Sequence, residues 1–359
     1  MKLIFDCRFI RSDHHDGISR FSTELFSALA KQTSVTALVS DERVLKWLPA
    51  DTDYILGNDP TNPLAELGLA RKLNREGATH VFSPMQTMGS LGKKYKLVLT
   101  LHDLIYYFHP KAPTFLPLLV RFAWRLYHLS FTPVRLLLNR ADAVVTVSET
   151  SKNLIEKNRL TTKPVHVIYN APESLSLSKE LSSPSFKGSR NKLIYMGSFM
   201  EYKNVEVLIH AMELLPEYEL VLLSKISSKR ESALRALAGK AESRVTFRNG
   251  VTDVEYSTEL AGAFALVSAS KDEGFGIPLV EAMGRGIPLV LSDIPIFREI
   301  AQDAAVYFDS TSPELFAKNV QELEEPGKWS EFSLRSVNRG SFFDWDKSAA
   351  LLLDVLRKL

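Results

Sequence analysis

The chain has 359 residues, 45% of them hydrophobic and 24% charged, and a net charge of +2. That length suits about two ordinary domains, and the composition is that of a folded, soluble protein rather than a disordered one. The near-neutral balance argues against a nucleic-acid binder. A single cysteine, Cys7, excludes an intrachain disulfide framework and disfavours a thiolate zinc cluster, and no run approaches the roughly 18 apolar residues of a membrane span.

The first residues, MKLIFDCRF, hold too short an apolar run for a signal peptide, so a cytoplasmic protein is expected. KLIFD (2–6) predicts a strand, Asp16-Gly17 a turn, and 18–31 an amphipathic helix with Phe21, Leu25, Phe26 and Leu29 on one side. Arg20 adds a fixed cation near that helix start, which makes the loop a candidate anion site, although a plain helix start explains the stretch as well. Strands follow at 35–39 and 79–83, with a helix at 64–76. KLVLTLHD (96–103) predicts a buried strand ending in His102 and Asp103, from which the imidazole could hydrogen-bond a sugar hydroxyl.

Residues 89–140 contain eight Lys or Arg and one acid, Asp103. Within them Arg121, Arg125 and His128 share one helical face and interleave with Phe122, Trp124, Tyr127 and Phe131. A basic, aromatic amphipathic helix suits an anionic membrane surface, and a core-packed helix with a solvated basic face suits it equally. Pro117 fits the start of this helix, and Pro133 is expected to break or kink it. Strands are predicted at 141–148 and 165–170. The Ser-rich stretch 172–191, with Pro172, Pro184 and Gly188, is the linker candidate.

The alternation then resumes. Strands are predicted at 193–197, 219–224, 244–250, 263–270, 287–293 and 304–309. Helices are expected from about Asn204, near 228–241 and 254–261, and in the tail near 313–324 and 347–358. Lys203 follows a strand end and could place a point charge on phosphate, although a surface lysine is the commoner fate. The stretch KDEGFGIPLVEAMGRGIPLV (271–290) is the most informative. Gly274 and Gly276 around Phe275 allow a sharp turn and a close backbone approach to a ligand. Pro278 suits the first helical turn, and the N–H groups of 276–279 are expected at the positive helix end. Glu273 lies on the loop before the turn and Glu281 about one turn inside the helix. An ionised carboxylate can accept both hydroxyls of a vicinal diol.

This βα alternation predicts an α/β protein with two parallel-sheet domains, whose ligands bind at the carboxyl ends of the strands. The stretch around Gly17 lacks a dinucleotide fingerprint and is not a Walker loop. No metal-ligand spacing and no hydrolase elbow are present, so metal-independent chemistry without a cofactor is expected.

On Glu273 and Glu281 with the intervening GFGIPLV, the chain resembles the retaining family-4 glycosyltransferases, whose E-x7-E motif this looks like. GISRFSTEL (17–25), TLHDL (100–104), ADAVVTVSETS (141–151), YMGSFMEYKN (195–204) and SDIPIFREI (292–300) support the match. The resemblance implies two Rossmann-like domains facing a deep cleft, the GT-B fold. It implies an acceptor-side domain at 1–172, a linker at 173–191 and a nucleotide-sugar domain at 192–340. A final helix within 341–359 would cross back to the first domain.

It also implies site roles. Glu273 and the backbone of Gly274, Phe275 and Gly276 would contact the donor sugar, and Glu281 the ribose diol. Lys203 would neutralise the diphosphate, His102 would contact the transferred sugar, and Gly17 would let the first loop approach the phosphates. Arg20, Asp103, Arg121 and Arg125 would lie on the acceptor or membrane side. One departure concerns the phosphates. Many members carry Arg after the glycine of the phosphate loop, where this chain has Ser198, and a subgroup has Arg just before the Lys, where this chain has Tyr202. Lys225, Arg20 and Lys271 are the candidates for the missing cation, with Lys225 preferred.

The expected activity is transfer of a hexose, mannose favoured, from a nucleotide diphosphate sugar such as GDP-mannose to a glycolipid, saccharide or cell-envelope acceptor. The enzyme would be cytoplasmic, peripheral on the inner face of the membrane if the basic helix meets lipid. An epimerase of the same fold, or a non-catalytic sugar-nucleotide or membrane-binding module, are the alternatives.

Overall fold

The structure, a computed structural model, describes residues 1–13, 16–111, 117–172 and 191–359. The linker expected at 173–191 lies, except for Asn191, outside the described residues. The chain forms two compact units. One comprises Met1–Asn170 with Asp344–Leu359, the other Ala171–Phe343.

Among the described residues the first unit holds seven strands: β1 (Leu3–Asp6), β2 (Val35–Val39), β3 (Tyr54–Leu56), β4 (His80–Ser83), β5 (Lys96–Thr100), β6 (Ala143–Thr146) and β7 (Val165–Val167). They run parallel in the order β3-β2-β1-β4-β5-β6-β7. The second unit repeats the plan with six among its described residues: β8 (Lys192–Tyr195), β9 (Glu219–Leu222), β10 (Val245–Phe247), β11 (Ala265–Ser268), β12 (Leu289–Ser292) and β13 (Ala305–Phe308). Their order is β10-β9-β8-β11-β12-β13, again parallel. The central strands are buried on both faces, as helix-covered parallel sheets require, and so they read as unbroken apolar runs. Each sheet reverses its winding once, between β1 and β4 and between β8 and β11. Such a reversal opens a crevice at the carboxyl ends of the strands.

The final helix, Trp345–Arg357, belongs to the first unit and packs on the helix Gly17–Ala30. Trp345 meets Phe21 edge-on at 6.0 Å, and Ser348 Oγ donates to the Tyr169 carbonyl at 2.7 Å. Asp16 is the N-cap of the Gly17–Ala30 helix rather than half of a turn, its carboxylate accepting the Ser19 N–H.

Several elements differ from expectation. β3 was not foreseen. The helix expected over 228–241 stops at Leu237, before Gly239 at φ 53°, and a 3-10 segment follows. The tail contains an additional helix, Lys328–Gly340. Pro133, by contrast, marks the expected break, since the helix Leu118–His128 ends before it. It sits in the first turn of a new one, Thr132–Leu138, where its missing N–H breaks no helical bond.

Candidate active site

The β8–β11 crevice is where most of the expected donor residues converge. After β8 the chain passes Gly197 and Ser198, makes a 3-10 turn at Glu201–Lys203 and enters the helix Val205–Ala211. A side chain on Gly197 would meet the Tyr195 hydroxyl 2.7 Å away, so glycine keeps this passage narrow. The hydroxyl itself donates to the Ser198 carbonyl at 2.7 Å, and the Gly197 N–H donates to Ser224 Oγ at 3.1 Å. Burial, and secondarily the charge of Glu273, push the Tyr195 phenol well above its usual range, so it remains a donor.

Asn204 follows in the left-handed region at φ 55°, a conformation asparagine tolerates well. Its amide donates to the carbonyls of Ala269 (3.1 Å) and Ser310 (2.7 Å), tying the turn to the ends of β11 and β13. The Lys271 N–H donates to the Tyr202 carbonyl at 2.7 Å, joining the two loops directly. This bracing brings the Lys203 ammonium onto the Glu273 carboxylate as an ion pair. The pair is largely but not wholly covered, with 11% and 18% of the side chains exposed.

Glu273 leads into Gly274-Phe275-Gly276 and the helix Ile277–Gly284. Gly276, at φ 94°, is the N-cap, and an added Cβ would sit 3.2 Å from Leu279. The expected row of N–H groups is shorter than foreseen. Pro278 has none, and that of Leu279 donates to the Gly276 carbonyl at 2.9 Å, which leaves those of Gly276 and Ile277. Phe275 is buried edge-on against Phe343 at 5.7 Å. Glu281 is also buried, and its Oε2 accepts from the Tyr256 hydroxyl at 2.7 Å. This phenol, on the helix Asp253–Ala261, was not foreseen.

The helix Lys328–Gly340 backs this element. Ser333, Ser336 and Gly340 are buried, and a Cβ on Gly340 would sit 2.9 Å from the Met283 backbone carbon. On this side the helix Ile277–Gly284 is held by close backbone approach.

Among the cation candidates, Lys225 is exposed at the carboxyl end of β9, with its stem over Gly250. Lys271 is exposed as well, beside Glu273 in sequence. Ser198 contributes its carbonyl to the loop's internal bonding and is itself exposed. Arg230, absent from the expected set, reaches the same loop. Its Nε donates to the Phe199 carbonyl at 3.2 Å and its Nη2 to Glu206 Oε1 at 2.6 Å.

The first unit carries the remaining candidates. His102 lies two residues beyond β5, and its Nε2–H donates to the Pro84 carbonyl at 2.8 Å, which leaves Nδ1 as the acceptor. Burial holds this imidazole below its ordinary value of 6.5, against the opposing pull of the Pro84 bond. Asp103 Oδ1 accepts the Ile105 N–H at 3.0 Å, two residues on, which turns the chain into the short helix Ile105–Phe108. Gly17 is exposed in the first turn of its helix, and Arg20 is part-buried one turn in, its N–H on the Asp16 carbonyl. Arg11 pairs with Asp16 at 2.6 Å.

The β1–β4 crevice is filled by a separate network. Arg8 pairs with Asp6 (2.8 Å) and Glu66 (2.5 Å), and its side chain is fully buried. Ser83 Oγ donates to Asp6 Oδ2 at 3.0 Å, and the Gly89 N–H to Glu66 Oε2 at 2.6 Å.

The basic segment forms the helix Leu118–His128. Its aromatic side faces the protein, with Trp124 on Tyr106 at 4.8 Å and His128 on Tyr107 at 4.9 Å. Its apolar side faces outward, with Leu118 79%, Leu119 84% and Phe122 63% exposed. Arg125 is exposed with it and Arg121 is half-buried, which corrects the expected outward basic-aromatic face. No helix among the described residues is long and apolar enough to cross a membrane. Among the described residues no group of three His, Cys, Asp or Glu could hold a metal ion.

Two parallel Rossmann-like sheets with a final helix returned to the first are the arrangement of GT-B glycosyltransferases. Residues 16–172 match the family described as Glycosyltransferase Family 4, and residues 178–333 match Glycosyl transferases group 1. The chain belongs to the family-4 glycosyltransferases of the GT-B fold.

Among curated relatives it is 27% identical over 63% of its length to the O-antigen chain mannosyltransferase RfbU of Salmonella typhimurium strain LT2, and the match spans 61% of that protein. It is 38% identical over 28% of its length to the serotype-specific mannosyltransferase WbdA of Escherichia coli, of which 12% is spanned. The solved structure of Anabaena HepE in complex with UDP-glucose superposes with a TM-score of 0.74 at 17% identity, covering all of both chains.

Proposed function

We propose that the protein is a retaining hexosyltransferase. It moves mannose from GDP-mannose, or a hexose from a related nucleotide diphosphate sugar, to a hydroxyl of a glycolipid or cell-envelope saccharide. The observation that carries this reading is the Lys203–Glu273 pair at the carboxyl ends of β8 and β11, beside the Gly276 helix start. An arriving diphosphate offers the Lys203 ammonium a new anionic partner. That exchange releases Glu273 to accept hydroxyls of the sugar. Glu281, steadied by Tyr256, takes the ribose diol. Two named mannosyltransferase relatives support mannose as the sugar.

In the reaction the C1–O bond to the diphosphate breaks and the bond from C1 to the acceptor oxygen forms on the same face. The acceptor proton passes to the leaving phosphate oxygen. Negative charge grows on that phosphate, and Lys203 with the Gly276 and Ile277 N–H groups stabilises it through preorganised electrostatics. Glu273 is not the nucleophile, and no metal is needed. In the first unit, His102 Nδ1 accepts from a sugar hydroxyl.

The second part of the proposal is that the outward apolar side of Leu118–His128 lies on an anionic membrane, with Arg125 at its headgroups. Support comes from the exposure of Leu118, Leu119 and Phe122 on one helix.

The test incubates the protein with GDP-mannose, UDP-glucose and ADP-glucose in the presence of a chelator, and follows nucleotide release. The anomeric configuration of the product is read by NMR. GDP release with retention supports the reading. Silence with every donor, an inverted product or a trapped glycosyl–Glu273 adduct overturns it. Co-sedimentation with phosphatidylglycerol vesicles at low salt, weakened by salt, checks the membrane part.

A further inference from the structure

The turn that carries Lys203 is clamped by one side chain from a different element. Arg230 stands in the first turn of the helix Ser228–Leu237, which follows β9. Its Nε–H donates to the Phe199 carbonyl, four residues before Lys203. Its Nη2–H donates to Glu206, three residues after. One rigid guanidinium fork thus spans both flanks of the lysine. Both contacts are part-buried, with 26% of the Arg230 and 29% of the Glu206 side chain exposed.

Other ties on this loop run through Tyr195, Ser224 and Asn204, and through the Tyr202 carbonyl to the Lys271 N–H. The Arg230 fork joins its descending and ascending limbs. A planar, bidentate donor suits that bridging, and a lysine ammonium does not reproduce it.

Resting on the hexosyltransferase reading, we infer that Arg230 is the positioning residue for Lys203. It holds the phosphate loop in shape and does not itself contact the diphosphate. Its charge is engaged by Glu206, and its hydrogen bonds run to the outer side of the turn. This chain carries Ser198 and Tyr202 where the family pattern places a second cation, and both tie the loop through their carbonyls, while the fork adds a side-chain bridge across its two limbs.

The experiment measures GDP and UDP binding by calorimetry and donor turnover for the wild type, Arg230→Met, Arg230→Lys, Glu206→Gln and the double variant R230M/E206Q. Thermal unfolding is followed alongside. Nucleotide binding and turnover by the wild type establish the underlying reading independently. Given these, Arg230→Met and Glu206→Gln each raise the donor KM about tenfold, the cost of a loosened binding geometry. Arg230→Lys fails to restore it, and the double variant is no worse than the worse single one, since both break one interaction.

Tighter nucleotide binding by Glu206→Gln would make Arg230 a direct phosphate cation and overturn the inference. Rescue by Arg230→Lys would do the same. A lowered unfolding midpoint with unchanged KM and kcat would reduce Arg230 to a structural bond and also overturn it. A wild type that binds and turns over no donor would instead remove the hexosyltransferase reading.

Discussion

The two sheets share a winding order, yet their crevices differ. At β8–β11 a lysine and a glutamate meet with part of each side chain open to solvent. At β1–β4 an arginine lies between two carboxylates with its side chain fully buried. In the first unit, Ser83 at the end of β4 bonds to Asp6, and the loop residues Asn58 and Gly89 bond to Glu66. In the second, glycines at 197, 274 and 276 leave the backbone thin above the charges. A topological switch point supplies only the location. What the loops do with their hydrogen-bonding groups decides whether the charges face a ligand or serve the fold.

Four experiments break or sharpen that contrast. The largest effect belongs to the sealed crevice. Arg8→Met strands two buried carboxylates and lowers stability by about 3–5 kcal/mol. Denaturant unfolding measures it, and a loss under 1 kcal/mol would show that the crevice is wetter than described. Next, Lys203→Ala in the open crevice lowers kcat/KM by about 10²–10³ while the unfolding midpoint barely moves. Retention of activity within tenfold would place the phosphate elsewhere.

Third, Glu273→Gln removes the competitor for the ammonium. Nucleotide diphosphate without sugar then binds about tenfold more tightly, a gain of about 1.4 kcal/mol, while turnover falls. Calorimetry with GDP reads it, and weaker binding would mean that the pair does not exchange partners.

The smallest effect is the pH response of His102. Burial lowers its folded pKa below the ordinary 6.5. The unfolded chain therefore binds the proton more readily, and the stability contributed by the neutral ring is present above 6.5. It is lost as pH falls from there through the lowered value. Turnover should stay level from neutral pH down past 6.5 and drop only below it. A decline centred above 6.5 would refute the buried, neutral ring.

Much of this was legible in the residues. Strands covered on both faces appear as unbroken apolar runs, so the alternation, the parallel sheets and the strand-end positions of Lys203 and Glu273 could be read directly. Their contact could not, because they stand 70 residues apart and meet only because β8 neighbours β11. β3 escaped notice because YIL is three residues at a sheet edge, and Tyr54 and Leu56 are exposed. The helix Lys328–Gly340 was hidden by its own packing. Beside Phe332 it buries Ser333, Ser336 and Gly340, small residues that a search for large apolar side chains passes over.

Arg230 sits in SSKRES, which looks like an ordinary solvated helix start, and only the fold shows what its fork reaches. The Leu118–His128 pattern announced an amphipathic helix. Which side the protein covers was decided by Tyr106 and Tyr107, which stack on its aromatic face.

The return of Trp345–Arg357 to the first unit sets an order of manufacture. Trp345, Leu352, Leu353 and Leu356 are buried in that unit, yet they leave the ribosome after the whole second sheet has been made. Until then Phe21 and the apolar side of the Gly17–Ala30 helix have lost one of their covers. A domain generally folds as a unit once its residues are available. Here the unit translated first is the one completed last, and a chain released at residue 343 would hold every residue of the second unit and a first unit still open.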